Sequence, residues 1–311
     1  MEKLPRVDVG FLHYWPGWTR QVARKAWSFL APHYDVHFSN TPDILFCSVF
    51  DGVIKGKAER DRPVFPRKGC RRVFITAENV DPPMDRFDYC ISFNRDIKSP
   101  RHFRIPNYVF RYRANGRSVE GLIKKPQTSG SCASEHDRFC SFVYRRPDVH
   151  YRTEFIDSPT FRNDFARALS QYKRVDCPGE CCSNMPRLPG RDALEFYRNY
   201  KFNIAFENCR CRLDQGYVTE KLVDTMMAGC MPIYWGDLRV GEDFNADSFL
   251  CVNDCRNIQE AVDMVAGLDS DDELFNEKMQ QPWLRNNVLP DYLTDDYLLQ
   301  VFRTIFEGKI K

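Results

Sequence analysis

Two short stretches hold residue types that could do chemistry. In the first, Gly216-Tyr217-Val218-Thr219-Glu220-Lys221 stands between the apolar runs 202–206 and 231–235. Thr219 suits the N-cap of a helix over 220–228, and Gly229 suits its left-handed stop. Such a helix start offers free N–H groups and the positive end of a dipole, a seat for a phosphate. Lys221 in the first turn opposes that dipole, and an anionic partner would account for it. Glu220 is favoured there and, ionised, could accept both hydroxyls of a ribose diol. Tyr217 could stack on, or hydrogen-bond to, a base or sugar. An ordinary capped amphipathic helix, with Glu220 and Lys221 in water, fits the same residues.

The second stretch is the apolar run 72–77, which ends in Glu78-Asn79 and then Val80-Asp81-Pro82-Pro83. A carboxylate at the carboxyl end of a buried strand is where a doubly wound domain presents a catalytic group. Glu78 could take a proton from a hydroxyl as a general base, or simply cap the following turn. The thirteen cysteines include no C-x-x-C, the usual mark of paired zinc modules. They cluster as Cys177, Cys181 and Cys182, as Cys209 and Cys211, and as Cys251 and Cys255. Reduced, mostly buried thiols in a cytosolic chain are the simplest reading.

These groups need elements to position them. Strands are expected at 7–13, 44–50, 72–77 and 89–93, with a helix at 21–30. A polar stretch over 114–137 with three glycines reads as a linker. Further strands follow at 139–144, 201–206, 231–235 and 249–252, with helices near 160–172, 190–199, 220–228 and 257–266. The pattern predicts an α/β fold of two doubly wound domains: 1–113, then the linker, then 138–285, with a helical tail over 286–311. The last helix, 294–306, could pack on either domain. A ligand is expected at the carboxyl ends of strands, in a cleft between the domains. Forty-five basic and forty-three acidic residues leave a net charge of +2, which excludes a generally basic nucleic-acid binder but not a local basic cleft. No run of about 18 apolar residues and no signal-peptide pattern is present, so the expected place is the cytoplasm, at most peripheral to a membrane.

The order NIAFEN, GYVTEKLVD, AGCMPIYWGD resembles the donor-binding signature of the α-1,3-fucosyltransferases of glycosyltransferase family 10, which share FEN, GYVTEK and AGxxPIYWG in that order. The resemblance spans about residues 7–285 and is sharpest over 201–237. It implies a GT-B fold of two Rossmann-like domains, with GDP-fucose held by the second. Tyr217, Glu220 and Lys221 fall on positions that contact the donor in the family, as does Asn208. TAENVDPP resembles the GEN-x-x-P segment of bacterial members, whose glutamate is the general base; this chain has Ala77 in place of the glycine. RNDFARALSQYKRVD resembles the segment carrying the family's phosphate-binding arginine, which places that role on Arg162 in the first turn of its helix. Arg152 and Arg145 are rivals, and Tyr144-Arg145 replaces the usual Ser-Asn. DYCISF and RIPNY resemble DYAIGF and R-x-P-x-Y, and HYWPGW resembles FWPGF, whose aromatics could floor an acceptor site or belong to the core.

The implied reaction is an inverting displacement. Glu78 deprotonates an acceptor hydroxyl, which attacks the anomeric carbon of fucose as GDP leaves toward Lys221, Arg162 and the helix start. The implied acceptor is an N-acetyllactosamine or lactose-type glycan, with a Lewis-type product. The scheme requires no metal, although a divalent ion could stimulate it. The chain is similar to soluble bacterial members rather than to anchored animal ones. Two alternatives stay open: a GT-B transferase for another nucleotide sugar, and a catalytically silent glycan-binding relative.

Overall fold

A computed structural model describes residues 3–14, 18–49, 69–106, 108–123, 136–145, 158–188, 193–208 and 215–308. They form two compact units, Met1–Val119 with Pro290–Lys311, and Glu120–Leu289.

In the first unit the described strands are β1 (Arg6–Leu12), β2 (Asp35–Phe38), β3 (Ile44–Cys47), β4 (Arg71–Ile75), β5 (Tyr89–Ser92) and β6 (His102–Arg104). They make one parallel sheet in the order β2-β1-β3-β4-β5-β6. β3 and β5 are buried along their whole length, as expected of apolar strands covered on both faces. Helices α1 (Arg20–Ala26) and α2 (Tyr108–Ala114) belong to this unit.

The second unit holds β7 (Arg138–Ser141), β8 (Val175–Asp176), β9 (Tyr200–Phe206), β10 (Met231–Trp235) and β11 (Leu250–Cys251). These too are parallel, in the order β11-β10-β9-β7-β8. The helices are α3 (Ser158–Tyr172), α4 (Leu194–Tyr197), α5 (Glu220–Met227), α6 (Ile258–Asp269) and α7 (Asp272–Gln280). Strand order reverses between β7 and β9, so the chain leaves these two neighbours in opposite directions. That is the topological switch point, where open α/β sheets bind their ligands. Phe165, Phe202, Phe206, Ile233 and Trp235 are among the residues of the core beneath it.

The last helix, α8 (Asp295–Glu307), belongs to the first unit. Its buried face includes Phe302, whose ring lies 5.1 Å from Trp27 and 5.8 Å from Phe46. Arg71 donates to the carbonyl oxygens of Ile305 and Phe306, a cation at the negative end of the helix. The short strands β2, β6 and β8 and the helices α2 and α7 were not expected. The polar stretch opening at 114 starts on the last residue of α2 and includes a 3₁₀ turn, Val119–Leu122, while 124–135 lie outside the described residues. Gly229 has φ +74°, the left-handed stop expected after α5. Among the described residues no helix is long and apolar enough to cross a membrane.

Candidate active site

β9 is buried throughout, and the residue after it, Glu207, continues the ladder by donating its N–H to Trp235 O at 2.8 Å. The Glu207 carboxylate is 0% exposed. It accepts from Thr219 N at 2.7 Å, from Thr219 Oγ1 at 2.8 Å and from Lys221 Nζ at 3.2 Å. A lone carboxylate at this depth would cost several kcal/mol, which these three donors offset. Burial pushes its pKa up, while Lys221 and the Thr219 donors pull it down. Space for it comes from Gly236, where a Cβ would lie 2.6 Å from both Glu207 Cγ and Tyr234 Oη.

The same loop has a second anchor. Asp237 Oδ1 accepts from Gly216 N at 3.2 Å. Asn253 steadies Asp237 by accepting from Gly236 N at 3.0 Å and donating to Asp237 O at 3.1 Å. Thr219 caps α5 as expected, its hydroxyl accepting from Lys221 N at 3.4 Å and from Lys221 Nζ at 3.0 Å. The start of α5 is thus fastened to the carboxyl ends of β9 and β10. Glu220 lies in the first turn and is partly exposed. Tyr217 is 7% exposed, which leaves little of its ring for stacking.

Arg162 is 2% exposed. Its Nη1 donates to Asn208 Oδ1 at 3.3 Å, and its guanidinium carbon lies 4.0 Å from the centre of the Tyr144 ring. One expectation is corrected here. α3 begins at Ser158, so Arg162 is its fifth residue and lies in the second turn rather than the first. Ser158-Pro159-Thr160 belong to the helix instead of preceding it, since proline's fixed φ suits a first turn. The dipole argument for an anion at Arg162 weakens accordingly, because that field fades within one turn. Arg145 is exposed, and Arg152 lies outside the described residues.

Arg162, Asn208, Glu220 and Lys221 therefore gather around the carboxyl end of β9, at the switch point with β7. The sequence had marked all four. It had given no role to Glu207 and Asp237, though both lie in the quoted motifs, or to Tyr144; these three hold the site in place. The available signal for Glu207 was its place in FEN, an acid directly after the apolar end of a strand.

In the first unit, Glu78 follows β4 and is partly exposed. Its N–H donates to Thr76 Oγ1 at 2.9 Å, and its carbonyl accepts from Val80 N at 2.8 Å. The turn is thus made by backbone and by Thr76, and no described residue donates to the Glu78 carboxylate. Tyr14 and Trp18, both half-buried, pack edge-on against Phe11 at 4.7 and 6.1 Å; Trp15, Pro16 and Gly17 lie outside the described residues. The ten described cysteines are in no disulfide, and burial pushes Cys47 and Cys90 up to about 12; Cys132, Cys209 and Cys211 are outside the described residues. Among the described residues no three His, Cys, Asp or Glu are grouped to hold a metal.

Two parallel α/β units, one with cations and a helix start at its switch point, make up a fold of the GT-B class. The family description "Alpha-(1,3)-fucosyltransferase FucT N-terminal domain" matches residues 9–111, and "Glycosyltransferase family 10 (fucosyltransferase) C-term" matches residues 150–294. The chain belongs to glycosyltransferase family 10. It is similar to the alpha-(1,3)-fucosyltransferase FucT of Helicobacter pylori, 29% identical over 301 residues, which are 90% of this chain and 61% of that protein. A putative fucosyltransferase of Acanthamoeba polyphaga mimivirus is 29% identical over 72% of this chain and 35% of its own length. The chain thus spans less than two thirds of these relatives. A solved alpha1,3-fucosyltransferase structure with GDP superposes with a TM-score of 0.72 at 23% identity, covering 98% of this chain and 92% of that one. One with GDP-fucose gives 0.70 at 23% identity over the same shares. At this identity the likeness establishes the fold.

Proposed function

We propose that this chain is an inverting α-1,3-fucosyltransferase that moves L-fucose from GDP-fucose to O3 of GlcNAc or glucose in an N-acetyllactosamine or lactose-type glycan. The observation that carries the reading is the joint placement of Arg162 on Asn208 and of Lys221 on Glu207, beside the capped start of α5. Two cations and the positive end of a helix suit a leaving diphosphate, whose charge grows as the glycosidic bond breaks. The Glu220 carboxyl beside them suits a ribose diol, and Tyr217 borders the same loop. The family relationship and the solved relatives with GDP and GDP-fucose support the choice of nucleotide.

Glu78 serves as the base. It takes the acceptor hydroxyl's proton as that oxygen attacks the anomeric carbon from the face opposite GDP, inverting the centre. Such a role requires a carboxylate with lone pairs available, and Glu78 is partly exposed at the end of its strand. The boundaries 1–113, 114–137, 138–285 and 286–311 are proposed as acceptor side, linker, donor side and tail. A cytoplasmic setting is supported by the ten described thiols that are in no disulfide, seven of them buried.

A second reading concerns the acceptor. Human GDP-fucose protein O-fucosyltransferase 3 is 33% identical over 148 residues, 44% of this chain and 29% of its own length, which favours a protein hydroxyl. The test is incubation with GDP-fucose and a panel of lactose, N-acetyllactosamine and unglycosylated protein acceptors, with products resolved by linkage. A 3-linked fucose on the disaccharides supports the first reading and a fucosylated protein side chain the second. Turnover of a different GDP- or UDP-sugar in place of GDP-fucose, or no transfer at all, overturns both.

A further inference from the structure

Tyr144 lies three residues beyond β7, in the loop that leaves the switch point. Each part of it is fixed by a different neighbour. Its carbonyl accepts from Glu180 N at 2.8 Å and Cys181 N at 3.1 Å. Its hydroxyl donates to the carbonyls at the end of β9, 2.9 Å from Ile204 O and 2.8 Å from Phe206 O. Its ring packs 4.5 Å from Phe142 and presents a face to Arg162, whose guanidinium carbon is 4.0 Å from the ring centre.

Arg162 is almost wholly buried, so its contacts are stronger than they would be in water. An aromatic face attracts a guanidinium through its quadrupole, most strongly when both are desolvated. The ring and the Asn208 amide hold the guanidinium from two sides. Lys221 is held by the Glu207 carboxylate. A long, rotamer-rich side chain costs entropy to order when a ligand arrives. A side chain already ordered against a ring spares that cost.

We propose that Tyr144 is a positioning residue for nucleoside diphosphate binding: its ring clamps Arg162 against Asn208, so the guanidinium is aimed before the diphosphate arrives. This rests on reading Arg162 as a diphosphate contact. The ring and the hydroxyl have separate tasks. The hydroxyl ties the loop to β9, whereas the ring sets the cation.

The experiment measures GDP affinity by calorimetry on the full chain, with position 144 varied as Tyr144→Phe, Tyr144→Leu and a series of increasingly fluorinated phenylalanines. Fluorination drains the ring's quadrupole with little change of shape, so the answer does not depend on whether Tyr144→Leu folds. Tyr144→Phe keeps GDP affinity within about twofold while lowering thermal stability. Affinity then falls stepwise with fluorine count, reaching about a tenfold loss, and KM for GDP-fucose rises more than kcat falls. In an Arg162→Met background the series is flat. Affinity that stays flat across the series while Arg162→Met alone weakens GDP overturns the proposal and leaves the diphosphate reading intact. Wild-type GDP affinity in Arg162→Met overturns that reading, and the proposal falls with it.

Discussion

β4 and β9 are both strands of a parallel sheet followed closely by glutamate-asparagine, Glu78-Asn79 in one unit and Glu207-Asn208 in the other, and the two glutamates live in opposite surroundings. Glu207 is wholly buried and takes three donors from the loop it anchors. Glu78 is partly exposed, and only its backbone is held. The difference suits one dipeptide, set after two parallel strands, to the two jobs proposed for it. A carboxylate saturated with hydrogen bonds works as a pin, fixing a helix start and a lysine. A carboxylate held only through its backbone keeps lone pairs for a proton.

Breaking the contrast begins with Glu78→Gln. Transfer is expected to fall by roughly 10²–10⁴-fold with GDP affinity unchanged, the usual span for a lost general base. Initial rates with saturating GDP-fucose check this, and a variant keeping a third of the wild-type rate would take the role of base away from Glu78. The mirror experiment is Glu207→Gln, where stability should suffer instead. Losing one partner of a buried ion pair costs about 3–5 kcal/mol, against under about 0.5 kcal/mol for Glu78→Gln, as read by urea denaturation. Equal losses for the two variants would erase the distinction.

The first unit has its own buried titrating group, which separates acid sensitivity from Glu78. His102 is buried against Ser92 Oγ at 2.8 Å, and burial lowers its pKa from 6.5 to about 4, with Arg104 adding to the effect. The folded pKa lies below the unfolded one, so this contribution is complete above pH 6.5 and is lost as pH falls toward about 4. The total is about 3 kcal/mol, and His102→Gln should flatten that stretch of a stability–pH curve measured by denaturant titration. An unchanged slope would assign the acid sensitivity elsewhere. The smallest expected effect is that of Lys221→Ala, which should weaken GDP by about tenfold in calorimetry. Unchanged affinity would leave Lys221 as a mere partner of Glu207.

How far the sequence carried this account follows from what each feature depends on. The long apolar runs announced β1, β4, β5, β9 and β10 because their periodicity is local. β2 reads DVHF, β6 HFR and β8 VD, too short and too polar to stand out before their neighbours in the sheet are known. The Thr219 cap and the Gly229 stop were legible for the same local reason. The partner of Lys221 was not, because Glu207 reaches it across fourteen residues through a loop closure that no short window contains. Arg162 was found by resemblance, but its turn was misjudged, since Ser158-Pro159-Thr160 fits just before a helix as well as inside its first turn. The amphipathic face of α8 could be foreseen, whereas its return to Trp27 and Phe46 could not.

The central claim is that the start of α5, with Lys221 and Arg162, grips the diphosphate of GDP. A crystal structure of the chain grown with GDP tests it most directly. The account predicts diphosphate oxygens within hydrogen-bond distance of Lys221 Nζ, the Arg162 guanidinium and the first N–H groups of α5, with the ribose hydroxyls on Glu220. GDP bound elsewhere, or a diphosphate touching neither cation, would contradict it.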